Sequence, residues 1–152
     1  MRETTRVDRY NAEAMKILLF QARSFRWKSF QKTLPDAVDQ DVDVRVDEAL
    51  VAFVHAEARD QTDEARARVF RHALKQIKWL ANKRVMKNVV LHSFAHLGGE
   101  NSDPLFAKVF LDDLAERLRT TAYAVSVTPF GYTCEWDLSV YGESIAKVWQ
   151  EI

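Results

Sequence analysis

Cysteine is almost missing from this chain. One residue, Cys134, stands among 152, so no intramolecular disulfide can form, and a reducing, cytoplasmic setting is expected. Glycine is scarce too. Four glycines with a single adjacent pair, Gly98-Gly99, supply no glycine-rich loop for cradling phosphates. Net charge is absent, because 22 basic side chains balance 22 acidic ones. The chain as a whole therefore has no general attraction for nucleic acid, and any RNA contact needs a local basic patch. Lys75, Lys78, Lys83, Arg84 and Lys87 could form one, although a solvated helix face is the ordinary reading of such lysines. No apolar run approaches the length of a membrane-spanning helix, so no membrane partner is expected. Met1 to Ala14 is polar and has no hydrophobic signal core.

What remains is the composition of an ordinary globular domain, 47% hydrophobic and 29% charged, long enough for one core and too short for two. Residues 1–14 show no apolar period and read as an extension before a domain covering 15–152. Met15 to Phe20 predicts a first strand, and Phe25, Trp27 and Phe30 alternate with polar residues as in a half-buried second one. After the breaker Leu34-Pro35-Asp36-Ala37, Asp41 to Val46 alternates again. Ala49 to His55 is apolar throughout, as in a central strand covered on both faces. Helical spacing from Asp63 to Asn82 predicts a long helix with Thr62 as N-cap. Asn88 to His92 reads as a strand. Ser102 or Asp103 starts a second helix with Pro104 in its first turn and Phe106, Val109, Phe110, Leu114 and Leu118 on its buried face. Tyr123 to Val127 and Tyr132 to Val140 read as strands, and Glu143 to Gln150 as a short C-terminal helix. The fold expected is α/β: a single domain with a mixed β-sheet, two long helices and that short third one.

His96 is the leading chemical candidate. It follows a strand in a loop with two glycines, where a ligand can approach the backbone and an imidazole can orient a hydroxyl or water. The structural alternative is a helix-capping or core histidine. Cys134 shares a strand face with Trp136, Leu138 and Val140 and should point inward, as a small core hydrophobe or as a thiol nucleophile paired with His96. His92 and His96 lie four apart, but across a strand end, and no acidic or cysteine cluster completes a metal site, so no metal or other cofactor is expected. Trp27, Trp79, Trp136 and Trp149 are scattered in sequence and read as core.

Three segments carry a family resemblance: Leu50-Val51-Ala52-Phe53-Val54, Ser93-Phe94-Ala95-His96-Leu97, and Thr128-Pro129-Phe130-Gly131-Tyr132. Together they resemble the N-terminal editing domain of archaeal threonyl-tRNA synthetases, which is similar in fold to D-aminoacyl-tRNA deacylases. The likeness runs from about Met15 to the C-terminus. It implies a deacylase-like fold and a metal-free hydrolase that removes serine from mischarged threonine tRNA, with the terminal ribose 2′-hydroxyl helping to activate water. The domain would act on its own, in trans to a threonyl-tRNA synthetase, and as a homodimer, with Met15 as a possible true start. The implied pocket contains His96 with Ser93, Phe94 and Ala95. Ala56 and Glu57 border it, and Tyr132, Thr133 and Cys134 complete it. The family carries tyrosine and lysine where this chain has Thr133 and Cys134, and an acid on its C-terminal helix where this chain has Lys147, which would bring the lost cation back to the pocket from a new direction unless it simply faces solvent. The resemblance therefore leaves open a second reading, a binding module with impaired catalysis.

Overall fold

A computed structural model of the protein describes residues 15–152; the extension read at 1–14 lies outside the described residues. A mixed sheet of six strands organises the chain. Its order is β4-β3-β2-β1-β5, with β6 also paired to β1. β1 (Lys16–Lys32) runs antiparallel to β2 (Asp43–His55), which continues parallel to β3 (Asn88–Ser93) and β4 (Ala124–Val127). The other edge of β1 is shared. β6 (Lys147–Glu151) takes its first residues and β5 (Tyr132–Val140) the rest.

Two of the expected boundaries dissolve. The first two predicted strands are one strand, β1, and the next two are one strand, β2. The places where the periodicity changes are nevertheless real features. The β1–β2 pairing is interrupted at Arg23 and Glu48, Glu48 sits at φ 49°, and the β1–β5 register shifts between Ala22 and Ser24. On one side of this kink β2 is largely open to solvent, and from Ala49 to His55 it is buried throughout.

Helix α1 (Asp63–Lys83) and helix α2 (Pro104–Thr120) pack on one face of the sheet. Thr62 caps α1 by accepting a hydrogen bond from the Ala65 amide, and Pro104 occupies the first turn of α2, as expected. The core between helices and sheet includes Ile17, Leu19, Leu50, Ile77, Leu80, Phe110 and Leu114, all fully buried. Val109, expected on the buried face of α2, is exposed. The opposite sheet face holds a second cluster around Ala22, Phe25, Trp27, Val51 and Phe53, built from strands and adjoining loops alone. From Ala49 to His55, β2 is thus covered on both faces.

The expected C-terminal helix is not there. A single 3-10 turn, Ser144–Ala146, leads into β6. Val148 and Ile152 pack on the helix-side core while Trp149 is exposed, which is strand alternation. The strand wins because the first residues of β1 present an open ladder edge on the side that β5 leaves at Ala22. Of the four tryptophans only Trp27 is core; Trp79, Trp136 and Trp149 are each more than a third exposed. Among the described residues no helix is long and apolar enough to cross a membrane.

Candidate functional site

The parallel strands β2, β3 and β4 all end at one edge of the sheet, where backbone groups leave the ladder and loops diverge. A cavity of about 440 Å³ opens there. Its walls come from the end of β2 (Val54, His55, Ala56), the end of β3 with its following loop (His92, Ser93, Phe94, Ala95, His96), and the approach to α2 (Asn101, Ser102, Pro104, Ala107). The turn from β4 into β5 closes it with Pro129 to Cys134 and Trp136, beside Thr33 and Leu34 from the end of β1. Open α/β sheets place ligands at this edge.

Backbone hydrogen bonds fix the loops. The Phe94 amide donates to the Val54 carbonyl (3.0 Å), Ser102 to Ala56 (3.1 Å), Ala58 to Glu100 (2.9 Å) and Thr128 to Leu91 (3.0 Å). Gly131 is required where it stands. At φ +80° its carbonyl accepts from the Thr33 amide (2.7 Å), and a Cβ would come within 2.8 Å of Ala37 Cβ. Tyr132 lends its hydroxyl to the Gln40 amide (2.9 Å), and the Thr133 hydroxyl donates to the Gln31 carbonyl (3.3 Å).

Eight of the ten residues expected at the site line this cavity: His96, Cys134, Ala56, Ser93, Phe94, Ala95, Tyr132 and Thr133. Glu57 and Lys147 do not. Glu57 is fully buried behind the wall, paired with the Lys16 ammonium and, at 3.4 Å, with Arg59. It packs closely under the loop that follows His96, where a Cβ on Gly99 would sit 2.0 Å from Glu57 Oε1. The adjacent Asp60 accepts from the Glu57 amide (2.7 Å), and burial pushes its carboxyl up to about 6. Lys147 is exposed on β6 and donates to the Tyr141 carbonyl (2.9 Å). It does not return a cation to the cavity.

His96 is exposed at the mouth, its ring 5.3 Å from that of Phe94. Cys134 faces inward against the sheet cluster, as the alternation implies, and burial pushes its thiol up, away from thiolate. It makes no hydrogen bond to His96 among the described residues. His55, His92, His96 and Cys134 all line the cavity, yet no three metal-ligating side chains converge among the described residues.

Sequence reasoning missed two histidines and a tryptophan. His92 is buried among Phe53, Phe94 and Trp136, with Nδ1 2.7 Å from the Thr128 hydroxyl, and desolvation lowers its pKa to about 4. It is neutral at physiological pH. His55 places Nε2 2.7 Å from Asn101 Oδ1. Trp136 forms part of the aromatic wall instead of the core. Both histidines end apolar strand runs, where alternation counts them as core, so the sequence carried no separate signal for the cavity. Among the described residues no aspartate, glutamate, lysine or arginine lines this cavity. It can bind and orient through neutral donors, acceptors and aromatic faces.

Comparison with known proteins agrees with this geometry. The family described as the archaea-specific editing domain of threonyl-tRNA synthetase matches residues 15–152. Curated relatives include the threonine–tRNA ligases of Methanosphaera stadtmanae, 31% identical over 136 residues, and Pyrococcus horikoshii, 30% identical over 137 residues. Each alignment covers 88% of this chain but only 22% of the ligase, so the chain spans about a fifth of these relatives' length. Among solved structures, a probable eukaryotic D-amino acid tRNA deacylase superposes with a TM-score of 0.62 at 13% identity, covering 91% of this chain and 99% of that one. A c-Myc DNA unwinding element binding protein gives 0.60 at 9% identity, covering 90% and 98%. The fold is thus that of the D-aminoacyl-tRNA deacylases, and the chain belongs to the archaea-specific editing domain family of threonyl-tRNA synthetases.

Proposed function

We propose that this domain hydrolyses the ester of a mischarged aminoacyl-tRNA, with seryl-tRNA of the threonine system as the substrate that family membership suggests. The observation that carries the reading is the cavity itself. His96 and the Pro129–Tyr132 turn, which the family motifs single out, meet at the loop edge of the parallel strands. In the reaction water adds to the ester carbonyl, the bond from acyl carbon to ribose oxygen breaks, and the products are a free amino acid and a free ribose hydroxyl. A side chain that merely orients water or the ribose hydroxyl suffices if the RNA supplies its own 2′-hydroxyl. His96 is the group assigned that role, and the neutral wall holds the acyl-adenosine end. Binding alone separates serine from threonine weakly, since they differ by one methyl, and this is why a hydrolytic second site is useful.

Thiol catalysis by Cys134 fits less well, given a half-buried thiol, raised by desolvation, that makes no hydrogen bond to His96 among the described residues. A non-catalytic binding module is the second reading. It is favoured by the neutral Thr133 and Cys134 on the wall and by the position of Lys147 away from it. The partners proposed are the aminoacyl-tRNA 3′ end, a threonyl-tRNA synthetase acting in concert, and a second copy of the chain. That copy would cover the helix-free sheet face near Phe20 and Trp149.

Hydrolysis of seryl- and threonyl-tRNA by the purified protein, with His96→Ala as control, tests the reading. Selective loss of the seryl ester, slowed at least tenfold in the control, is the outcome expected of general acid–base or positioning catalysis at the scale of ~10²-fold. No turnover of either ester by folded protein supports the binding module instead. Light scattering on the same preparation reads the mass of the proposed dimer.

A further inference from the structure

We propose that His55 is a ligand-contacting residue of this cavity, whose Nδ1 accepts a hydrogen bond from a hydroxyl or amino group of the bound acyl-adenosine end. The inference rests on the editing reading for the identity of the ligand and on geometry for the role of the residue.

His55 closes β2, lines the cavity and is only 2% exposed. Its Nε2 lies 2.7 Å from the carboxamide oxygen of Asn101, another lining residue. That oxygen can only accept, so Nε2 carries the proton and Nδ1 is left as a bare acceptor. Among the described residues Nδ1 is one of two buried side-chain polar atoms without a partner; the other, Asp60 Oδ1, belongs to the cluster behind the wall. A buried acceptor left unpaired opposes folding, and such an atom in a native structure calls for a reason. A ligand that supplies the missing donor is that reason. The pair is also held for it, because Asn101 bridges backbone-to-backbone with Glu57 and the next residue, Ser102, donates its amide to the Ala56 carbonyl. The imidazole is thus fixed from both sides of the loop and keeps one tautomer.

The chemistry of the ligand group follows from the wall. Among the described residues no carboxylate lines the cavity to receive a hydrogen-bond donor. His55 Nδ1 fills that place with a neutral acceptor, suited to a hydroxyl or an amine and unattractive to an anion. An acyl-adenosine end carries donors of this kind on the ribose, the base and the amino acid. His55 would therefore set how the ester lies relative to His96, acting as a positioning residue and not as the group that moves a proton.

The test uses the full chain and a non-hydrolysable probe, 3′-(L-seryl)amino-3′-deoxyadenosine, in which an amide replaces the ester. Binding is measured by calorimetry for the wild type, His55→Phe and His55→Asn, with melting curves to establish that each is folded. Ring-nitrogen NMR on the wild type follows the His55 signals. The expected result is an Nδ1 signal typical of an unprotonated nitrogen that moves on probe addition. Affinity should fall about tenfold in His55→Phe, the scale of one buried hydrogen bond, and recover in part in His55→Asn, which restores an acceptor. Equal binding by wild type and His55→Phe with an unmoved Nδ1 signal overturns the inference and leaves the editing reading intact. No binding to folded wild type overturns both.

Discussion

At the scale of the residue, His92 is held neutral by its surroundings. Its ring packs against Phe53, Phe94 and Trp136, and its hydrogen-bonding partner, the Thr128 hydroxyl, is uncharged. Desolvation therefore lowers its pKa to about 4 in the folded state, against an ordinary value near 6.5. Between these values the unfolded chain binds a proton that the folded chain does not. Stability is accordingly full above about pH 6.5 and declines as pH falls toward 4, by about 3 kcal/mol for this group alone. Asp60 acts in the opposite sense, since its folded value is raised to about 6 and its contribution declines as pH rises from 3.8 to 6. The difference between proteins isolates His92. In His92→Phe/Thr128→Val both partners become apolar, and urea unfolding should lose about 2 kcal/mol less than wild type between pH 7 and pH 4.5. Parallel pH profiles for the two proteins would show that His92 is not desolvated as described. Legibility at this scale divides by location. His96 could be placed at the cavity because it lies in a loop that carries a family motif. His55 and His92 could not, because a residue ending an apolar strand counts as core by alternation, and only the three-dimensional arrangement reveals that the strand ends at a cavity.

At the scale of the element, both helices end in the same hydrogen-bonded motif without the residue that favours it. After α1 the Met86 amide donates to the Ala81 carbonyl (2.9 Å) and Val85 to Asn82 (3.2 Å). After α2 Tyr123 donates to Leu118 and Ala122 to Arg119, both at 3.2 Å. This is the six-to-one and five-to-two pattern of a Schellman C-cap, which calls for a left-handed residue at its turn. Val85 has φ 55° and Ala122 φ 71°, where glycine is usual. A side chain in that region costs about 1–2 kcal/mol, and for branched Val85, 77% exposed, no packing offsets it. Val85→Gly and Ala122→Gly are each expected to stabilise by about 0.5–1 kcal/mol after the greater chain entropy of glycine is counted. A higher urea midpoint at unchanged slope is the readout, and a lower midpoint would mean that the strain is absent. Because glycine does not mark these ends, the helix stops had to be read from loss of periodicity alone. The last element was misread for a related reason. Val148, Trp149 and Ile152 are spaced as on a helix face, yet the same residues satisfy strand alternation once Trp149 is allowed to face solvent. Only the unpaired edge of β1 decides between them, and that edge is a long-range feature.

At the scale of the whole molecule, the connection through α1 separates charge from chemistry. α1 starts at the loop edge beside the cavity and runs back roughly 30 Å before the chain enters β3 at the opposite edge. Lys83, Arg84 and Lys87 therefore lie away from the cavity, with Arg84 paired to Glu143 and Lys83 and Lys87 stacked over Trp79 and Tyr123. The basic cluster visible in the sequence is not a flank of the site. Nearer the cavity, Lys32, Arg66 and Lys108 are paired with Asp39, Asp113 and Asp112. The family motifs, by contrast, fall at the cavity, since their two loops follow β3 and β4 and the parallel pairing of those strands brings them together. A neutral cavity in a chain of zero net charge has a measurable consequence. Recognition should rest on the acyl-adenosine end and little on phosphates, whereas six to ten phosphate contacts would cut affinity by about 10³–10⁵ between 50 and 200 mM salt. Over that range kcat/KM for seryl-tRNA is expected to fall by no more than about tenfold, the equivalent of about two phosphate contacts. A steeper fall would mean that the tRNA body meets a basic surface outside the cavity. A shallow one would mean that an aminoacylated minihelix serves as well as the full tRNA, as expected if the cavity reads the end of the molecule as proposed.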